Sequence, residues 1–135
     1  MKALTLWQPW ASLIAWGEKR YETRSWTTSH RGLLAIHAAV PQPQVWRRLT
    51  ENKHLWRVLE QHQTLSHDLP TSAVLCIVEL VDVVPAAEIA HNLTDKEKAF
   101  GDFGWGRFVW RLKIVERFKQ PQPTRGRQGL WTWEG

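Results

Sequence analysis

Apolar positions in the first third of the chain alternate with polar ones in some segments and cluster in others. Residues 2–7 predict a short strand, and the large apolar residues of 10–16, spaced three and four apart, predict a helix. Gly17 follows that helix and suits the left-handed conformation in which many helices end. Residues 18–26 are mostly polar and are predicted to be extended, whereas residues 33–38 are apolar and predict a buried strand.

The second half of the chain carries the strongest strand patterns. Residues 73–84 are rich in Val, Ile and Leu, and residues 107–119 alternate apolar and polar positions as a half-buried strand does. Residues 130–133 predict a last short strand, and Thr94 followed by Glu97 predicts a helix that begins with a capping box. Five to six strands with short flanking helices predict an α+β protein built on a small β-barrel.

Residues 41–72 differ in character from the segments on either side. The prolines within residues 41–43 are expected to break the preceding strand, and a helix with one apolar side is expected to follow. Residues 61–72 are polar and predict a loop. Because the segment is too short to own a hydrophobic core, we interpret residues 41–72 as a helical and loop insertion on the barrel. We expect residues 1–135 to form a single domain.

The composition is ordinary for a soluble globular protein, with 43% apolar and 23% charged residues. The single cysteine, Cys76, lies in an apolar run, which predicts a buried and unreactive thiol. A lone cysteine is typical of a reducing compartment, and no apolar stretch approaches the roughly 20 residues needed to cross a bilayer. We therefore expect a cytoplasmic protein, a monomer that does not enter a membrane.

The charge is positive and unevenly distributed. The formal net charge is +5; residues 1–60 carry nine Lys or Arg against four acids, residues 61–100 carry two against six, and residues 101–135 carry seven against three. The two basic ends would form a positive face if they meet in the fold. Such a face attracts polyanions through neutralisation of their phosphates and release of counterions. The alternative is a basic surface that only keeps the protein in solution.

Tryptophan is unusually frequent, with 10 of 135 residues. Most of these side chains are expected in the core, but several lie beside charged or turn residues, namely Trp7, Trp10, Trp26, Trp105 and Trp131. Aromatic faces next to arginines hold unstacked bases in nucleic-acid-binding proteins. A second basic and aromatic cluster follows in residues 125–131, where Arg125 and Arg127 either grip phosphates or belong to a solvated turn.

Two motifs carry a resemblance to a known family. Residues 8–26 begin with Gln-Pro-Trp and contain a glycine, a lysine, a glutamate and an arginine at fixed spacing, namely Gly17, Lys19, Glu22 and Arg24. A turn at Arg31-Gly32, a strand that ends near His37, and residues 101–110 complete the pattern. Together they resemble the ASCH (activating signal cointegrator homology) domain over most of the chain apart from residues 41–72. The resemblance implies a PUA-like β-barrel.

The charged residues of the first motif have a chemistry of their own. If residues 19–24 are extended, Arg20, Glu22 and Arg24 share one face, and two arginines orient the carboxylate. Lys19, next to the glycine, can turn toward either side. A lysine, a glutamate and an arginine in one cleft offer a phosphate contact, an acceptor for base amino groups and a second cation. The alternative is a surface strand whose charged side chains pair with one another.

The resemblance implies two classes of function. The first is a nucleic-acid-binding module whose basic cleft recognises a nucleotide or modified base, with RNA, single-stranded nucleic acid or a modified nucleoside as partner. The second is a hydrolase, either an N4-acetylcytidine amidohydrolase or a ribonuclease. Lys19 matches the amidohydrolase lysine, but Glu22 stands where the nucleophilic threonine is expected, and Asp102 or Glu97 would supply the acidic partner. A third class is a protein-interaction domain whose basic face is incidental.

The predicted site residues surround the motif. In an enzyme, the catalytic groups would be Lys19, Glu22 and Asp102. The predicted nucleic-acid contacts are Lys19, Arg24, Ser25, Trp26, Trp7, Gln8, Trp10, Arg31, Arg125 and Arg127. His37 is either a further functional group or a hydrogen-bonded core histidine. The cysteine and histidine spacing fits no zinc site and the glycines form no phosphate-binding loop, so we expect neither a metal nor a cofactor.

Overall fold

The computed structural model describes residues 1–40 and 43–135. Six strands are present in this part of the chain: β1 Lys2–Trp7, β2 Tyr21–Arg24, β3 Gly32–Ala39, β4 Ala73–Pro85, β5 Phe108–Pro123 and β6 Leu130–Thr132. The described α-helices are α1 Trp10–Ala15, α2 Pro43–Leu49, α3 Lys53–Gln61, α4 Ala86–Ile89 and α5 Asp95–Ala99. Single 3₁₀ turns lie at Ser66–Asp68 and Ala90–Asn92.

The six strands form one mixed sheet in the order β2-β5-β4-β3-β1-β6. Only β1 and β3 are parallel; the other neighbouring pairs are antiparallel. Although β2 and β1 lie far apart in this order, Arg24 of β2 donates a hydrogen bond to the Thr5 carbonyl of β1 across 3.0 Å. That contact requires the sheet to curl back on itself. The fold is therefore an α+β half-barrel with short helices, which confirms the predicted class.

Apolar side chains fill the half-barrel and the space beneath its helices. Inside the curl the largest fully buried side chains include Leu4, Leu34, Ile36 and Trp110. A second cluster joins α1 to α3 and α5 and contains Leu13, Leu55, Val58, Leu59 and Phe100. The helices within residues 41–72 thus pack on α1 and on the end of α5. The predicted proline break falls in part outside the described residues.

Local sequence signals set the turns that matter for the site. Gly17 has φ +77°, and the backbone N–H groups of Glu18 and Lys19 both donate to the Leu13 carbonyl, which ends α1 and turns Lys19 inward. Thr94 and Glu97 form the predicted capping box at the start of α5. This cap fixes the direction of α5, and with it the position of the Phe100 carbonyl group that follows the helix.

Cys76 is fully buried, and burial raises the pKa of its thiol to about 12, so the side chain stays protonated as predicted. None of the helices in residues 1–40 and 43–135 has the length and apolar character that a membrane crossing requires.

Candidate functional site

A cleft of about 1230 Å³ opens at one end of the half-barrel. It is larger than the roughly 300–1,000 Å³ of a common small-molecule pocket. Its walls come from β1, β2, the end of β3, helix α2 and the loops at residues 99–102 and 124–129. The cleft thus brings together residues from both basic ends of the sequence.

Lys19 lies at the floor of this cleft with only 2% of its side chain exposed. Its Nζ donates to the backbone carbonyl of Tyr21 at 2.6 Å and to that of Phe100, and it lies 3.6 Å from Glu22 Oε1. Lys19 thus has two hydrogen-bond acceptors and one ion-pair partner among the described residues, all within the protein. Burial lowers the pKa of Lys19, while the Glu22 carboxylate opposes that shift.

Glu22 connects Lys19 to Arg24. Its Oε1 accepts the backbone N–H of Thr23 at 3.1 Å, and its Oε2 lies 3.2 Å from Arg24 Nε and 3.1 Å from Arg24 Nη2. The same Nη2 donates to the Thr5 carbonyl. The side chains of the motif therefore form a clamp, here called the Lys19–Glu22–Arg24 clamp, that joins β2 to β1 and to the end of α5.

The clamp leaves one edge of Arg24 available. Its contacts use Nε and Nη2, and within the described part of the chain Nη1 has no hydrogen-bond partner. The carboxylate of Glu22 accepts hydrogen bonds from the Thr23 backbone N–H and from Arg24 Nε, and it forms ion pairs with Arg24 Nη2 and Lys19. All three side chains line the cleft, and Arg24 is the one whose guanidinium keeps an unused donor edge among the described contacts.

Tryptophans form the walls above the clamp. Trp7, at the end of β1, is 44% exposed at the cleft mouth. Trp10 packs over Lys19 with its ring centroid 5.4 Å from Nζ, and Trp26 packs edge-on against Trp110 at 4.9 Å. Trp110 also donates its indole N–H to the Trp26 carbonyl at 3.3 Å. Two of the three wall tryptophans are thus fixed by their neighbours, while Trp7 presents open aromatic surface.

The loop at residues 124–129 is attached to the cleft through His37. His37 Nε2 donates to the Thr124 carbonyl at 2.8 Å. Its Nδ1 accepts a hydrogen bond from the Thr5 hydroxyl, 3.2 Å away. The Thr5 oxygen in turn accepts the indole N–H of Trp131 at 3.0 Å. A methyl group at Gly126 would overlap the His37 ring and lie 2.8 Å from Thr5 Oγ1, so only glycine fits there. His37 is thus a fully partnered histidine that holds the loop.

Positive charge dominates the cleft lining. The two acidic groups, Glu22 and Asp102, face the six cations Lys19, Arg24, Arg48, Arg107, Arg125 and Arg127. Both acids are paired inside the protein, Glu22 within the clamp and Asp102 with Arg107 at 3.7 Å. Three of the arginines, Arg48, Arg125 and Arg127, have no acidic partner among the described residues and are exposed. An anionic ligand would supply what they lack.

Most of the residues predicted from the sequence come together here. The lining includes Trp7, Trp10, Lys19, Glu22, Arg24, Ser25, Trp26, Asp102, Arg125 and Arg127. Gln8 does not line the cleft, because its amide bonds Ser12 at 2.8 Å and the Pro70 carbonyl at 2.6 Å. Arg31 also lies outside it, donating to the carbonyls of its own turn at Thr28 and His30.

Two further cations of the lining were not among the predicted contacts. Arg48 shares a turn of α2 with Val45 and Leu49, which also line the cleft, so the spacing of these residues was the available signal. Arg107 precedes β5 and donates to the Thr23 carbonyl at 3.1 Å. The place of Arg107 in the cleft lining depends on the pairing of β2 with β5, which the sequence does not reveal.

The described residues contain no group of three His, Cys, Asp or Glu side chains placed to hold a metal ion.

Comparison with known proteins shows which family the sequence matches. The family model for the ASCH domain matches residues 4–122. Activating signal cointegrator 1 of Homo sapiens and that of Mus musculus are each 30% identical over 129 residues, which is 95% of this chain and 21% of the relative. The chain thus spans about a fifth of the length of these relatives.

A crystal structure of a variant ASCH protein from Zymomonas mobilis aligns with 92% of this chain and 74% of that chain, at 15% identity and a TM-score of 0.44. The chain belongs to the ASCH domain family.

Proposed function

We propose that the cleft binds a nucleotide within single-stranded nucleic acid, RNA in the first place. The observation that carries this proposal is the set of unpaired arginines, Arg48, Arg125 and Arg127, around a cleft with tryptophan walls. Phosphates and bases are the ligand groups that need these two kinds of surface together.

The arginines account for the phosphate contacts. An arginine paired with an internal carboxylate has its charge balanced, whereas Arg125 and Arg127 have no such partner and are both exposed on one loop. Their guanidinium groups present several N–H donors in a fixed plane, which suits phosphate oxygens. The attachment of this loop to His37 keeps the two side chains beside the cleft when no ligand is bound.

The tryptophans and Arg24 account for the base. Trp7 offers the exposed ring at the mouth, and each base that stacks on an aromatic ring gains about 1–3 kcal/mol. Arg24 lies deeper, where its free Nη1 is positioned for a base carbonyl or a phosphate oxygen. Lys19 and Glu22 act as positioning residues, because they hold the Arg24 guanidinium in one orientation.

A hydrolase that uses the same cleft remains the second candidate, acting on acetylated cytidine or on the RNA backbone. The contacts on Glu22 and Thr23 weigh against it. Glu22 is bonded to two cations, and the Thr23 hydroxyl accepts the backbone N–H of Asp102 at 3.0 Å. A base acting on water would have to be Glu22 itself, whose carboxylate already contacts Lys19 and Arg24, and among the described residues no side chain accepts a hydrogen bond from the Thr23 hydroxyl.

Binding and product formation should be measured together, with single-stranded RNA, single-stranded DNA and free acetylated cytidine as ligands. We expect RNA to bind and no ligand to be converted. Product formed by the native protein and lost in Glu22→Gln would instead make the protein a hydrolase centred on that residue. If neither nucleic acid binds at low salt, the proposed function is wrong.

A further inference from the structure

Trp105 is the most exposed large apolar side chain among the described residues, with 97% of its surface open to solvent. It makes no hydrogen bond and no ring contact with any of them. Glycines precede and follow it, and Gly106 has φ +80°, a conformation that glycine adopts at no steric cost. A tryptophan left almost entirely in water contributes nothing to the hydrophobic core, and its ring is free to stack on a ligand.

The loop that carries Trp105 is anchored to the cleft floor at Thr23. The backbone N–H of Asp102 donates to the Thr23 hydroxyl at 3.0 Å, and Arg107 Nη2 donates to the Thr23 carbonyl at 3.1 Å. Asp102 also accepts the backbone N–H of Gly104 at 3.0 Å and lies 3.7 Å from Arg107 Nε. Both ends of the loop are thus fixed, and only its tip, with the indole, extends into solvent.

This anchoring places the loop that carries Trp105 beside the cleft. Asp102 and Arg107 both line the cleft, and residue 105 is only two positions from Arg107. Two trans peptide units span at most about 8 Å between Cα atoms, so the Trp105 Cα lies within that distance of a cleft-lining residue. Trp105 itself does not line the cleft, so its ring is an aromatic surface additional to those of Trp7, Trp10 and Trp26, which do.

We infer that Trp105 stacks on the base next to the one held in the cleft. This inference rests on the proposed function and makes it more specific, because a second stacking surface is of use only for a chain of at least two nucleotides. The ligand class is therefore a single-stranded oligonucleotide, whose neighbouring bases are unpaired and present their faces. A free nucleoside would fill the cleft and leave Trp105 exposed.

The test compares Trp105→Ala with Trp56→Ala, a matched control. Trp56 is also an exposed tryptophan, at 39%, but it lies on α3 and does not line the cleft. For a short single-stranded RNA we expect Trp105→Ala to weaken binding about tenfold or more, on the order of one lost base stack, and Trp56→Ala to leave it unchanged. For a mononucleotide of the same base, neither substitution should change the affinity.

Quenching by iodide gives a second reading of the same contact. The difference in fluorescence between native protein and Trp105→Phe reports the exposed indole, and the RNA should protect it whereas the mononucleotide should not. Equal RNA affinity of the native and Trp105→Ala proteins would overturn the inference while leaving the cleft as the binding site. If the native protein binds neither the RNA nor the mononucleotide, the proposed function is overturned, and this inference with it.

Discussion

Replacement of Lys19 by methionine is expected to lower the free energy of unfolding by about 3–5 kcal/mol. Methionine fits the buried space but donates no hydrogen bond. The carbonyls of Tyr21 and Phe100 would stay buried without a donor, and Glu22 would lose one of its two cations. Chemical denaturation, followed by the near-ultraviolet circular dichroism of the tryptophans, measures this loss of stability.

Arg20→Ala is the control for this experiment. Arg20 adjoins Lys19 in sequence and also pairs with a carboxylate, that of Glu97, with 2.8 Å between Arg20 Nη2 and Glu97 Oε2. Its side chain is 64% exposed, so the pair should contribute no more than about 1 kcal/mol. Equal losses of stability in the two variants would contradict the account of Lys19 as the buried centre of the clamp.

Replacement of Gly126 by alanine is expected to damage the loop that carries Arg125 and Arg127. The added methyl group would overlap the His37 ring, which is buried and held from both of its nitrogens. Overpacking of this kind costs about 1–3 kcal/mol when the structure stays in place. If the loop moves away instead, the two arginines leave the cleft and the affinity for RNA falls. Thermal unfolding and RNA binding of the same variant measure both routes.

Gln120→Ala serves as the control, because Gln120 is exposed on β5 shortly before this loop and does not line the cleft. It should change neither stability nor affinity. A Gly126→Ala protein with native stability and native RNA affinity would show that the contact between this loop and His37 does not shape the site.

The sequence predicted the fold well because the strand signals are local. The apolar run of β4, the alternation in β5 and the capping box of α5 each depend on residues close in the chain. The extended segment predicted over residues 18–26 is shorter in the structure, Tyr21–Arg24, because the backbone N–H groups of Glu18 and Lys19 donate to the Leu13 carbonyl at the end of α1.

The partners of the motif could not be predicted, because they come from distant parts of the chain. Lys19 donates to Phe100 and Arg24 donates to Thr5, and both contacts depend on the curl of the sheet. Alternation along an extended segment placed Arg20 beside Glu22, yet Arg20 pairs with Glu97 on the exposed side. Side chains alternate between two faces within a strand, but Arg20 precedes β2, so the alternation does not apply to it.

The clamp changes how the lysine, glutamate and arginine of the motif are understood. That all three contact a ligand stays a prediction: Lys19 and Glu22 line the cleft, but their described hydrogen bonds and ion pairs are made within the protein. The proposed function therefore assigns ligand contact first to Arg24, the tryptophans and the loop at 124–129. This division predicts that a Lys19 variant loses stability first, and loses affinity only through the displacement of Arg24.

The most direct test of the nucleic-acid cleft is the salt dependence of single-stranded RNA binding. It should be measured for native protein and for the double variant Arg125→Ala, Arg127→Ala. Each phosphate contact with a single strand contributes about −0.7 to the slope of log K against the logarithm of the salt concentration. Removal of two contacts should therefore make the slope of the double variant shallower by about 1.4. A second double variant, Arg47→Ala, Arg57→Ala, removes two exposed arginines that do not line the cleft, and should keep the native slope. Equal slopes in native protein and the Arg125, Arg127 variant would contradict the account.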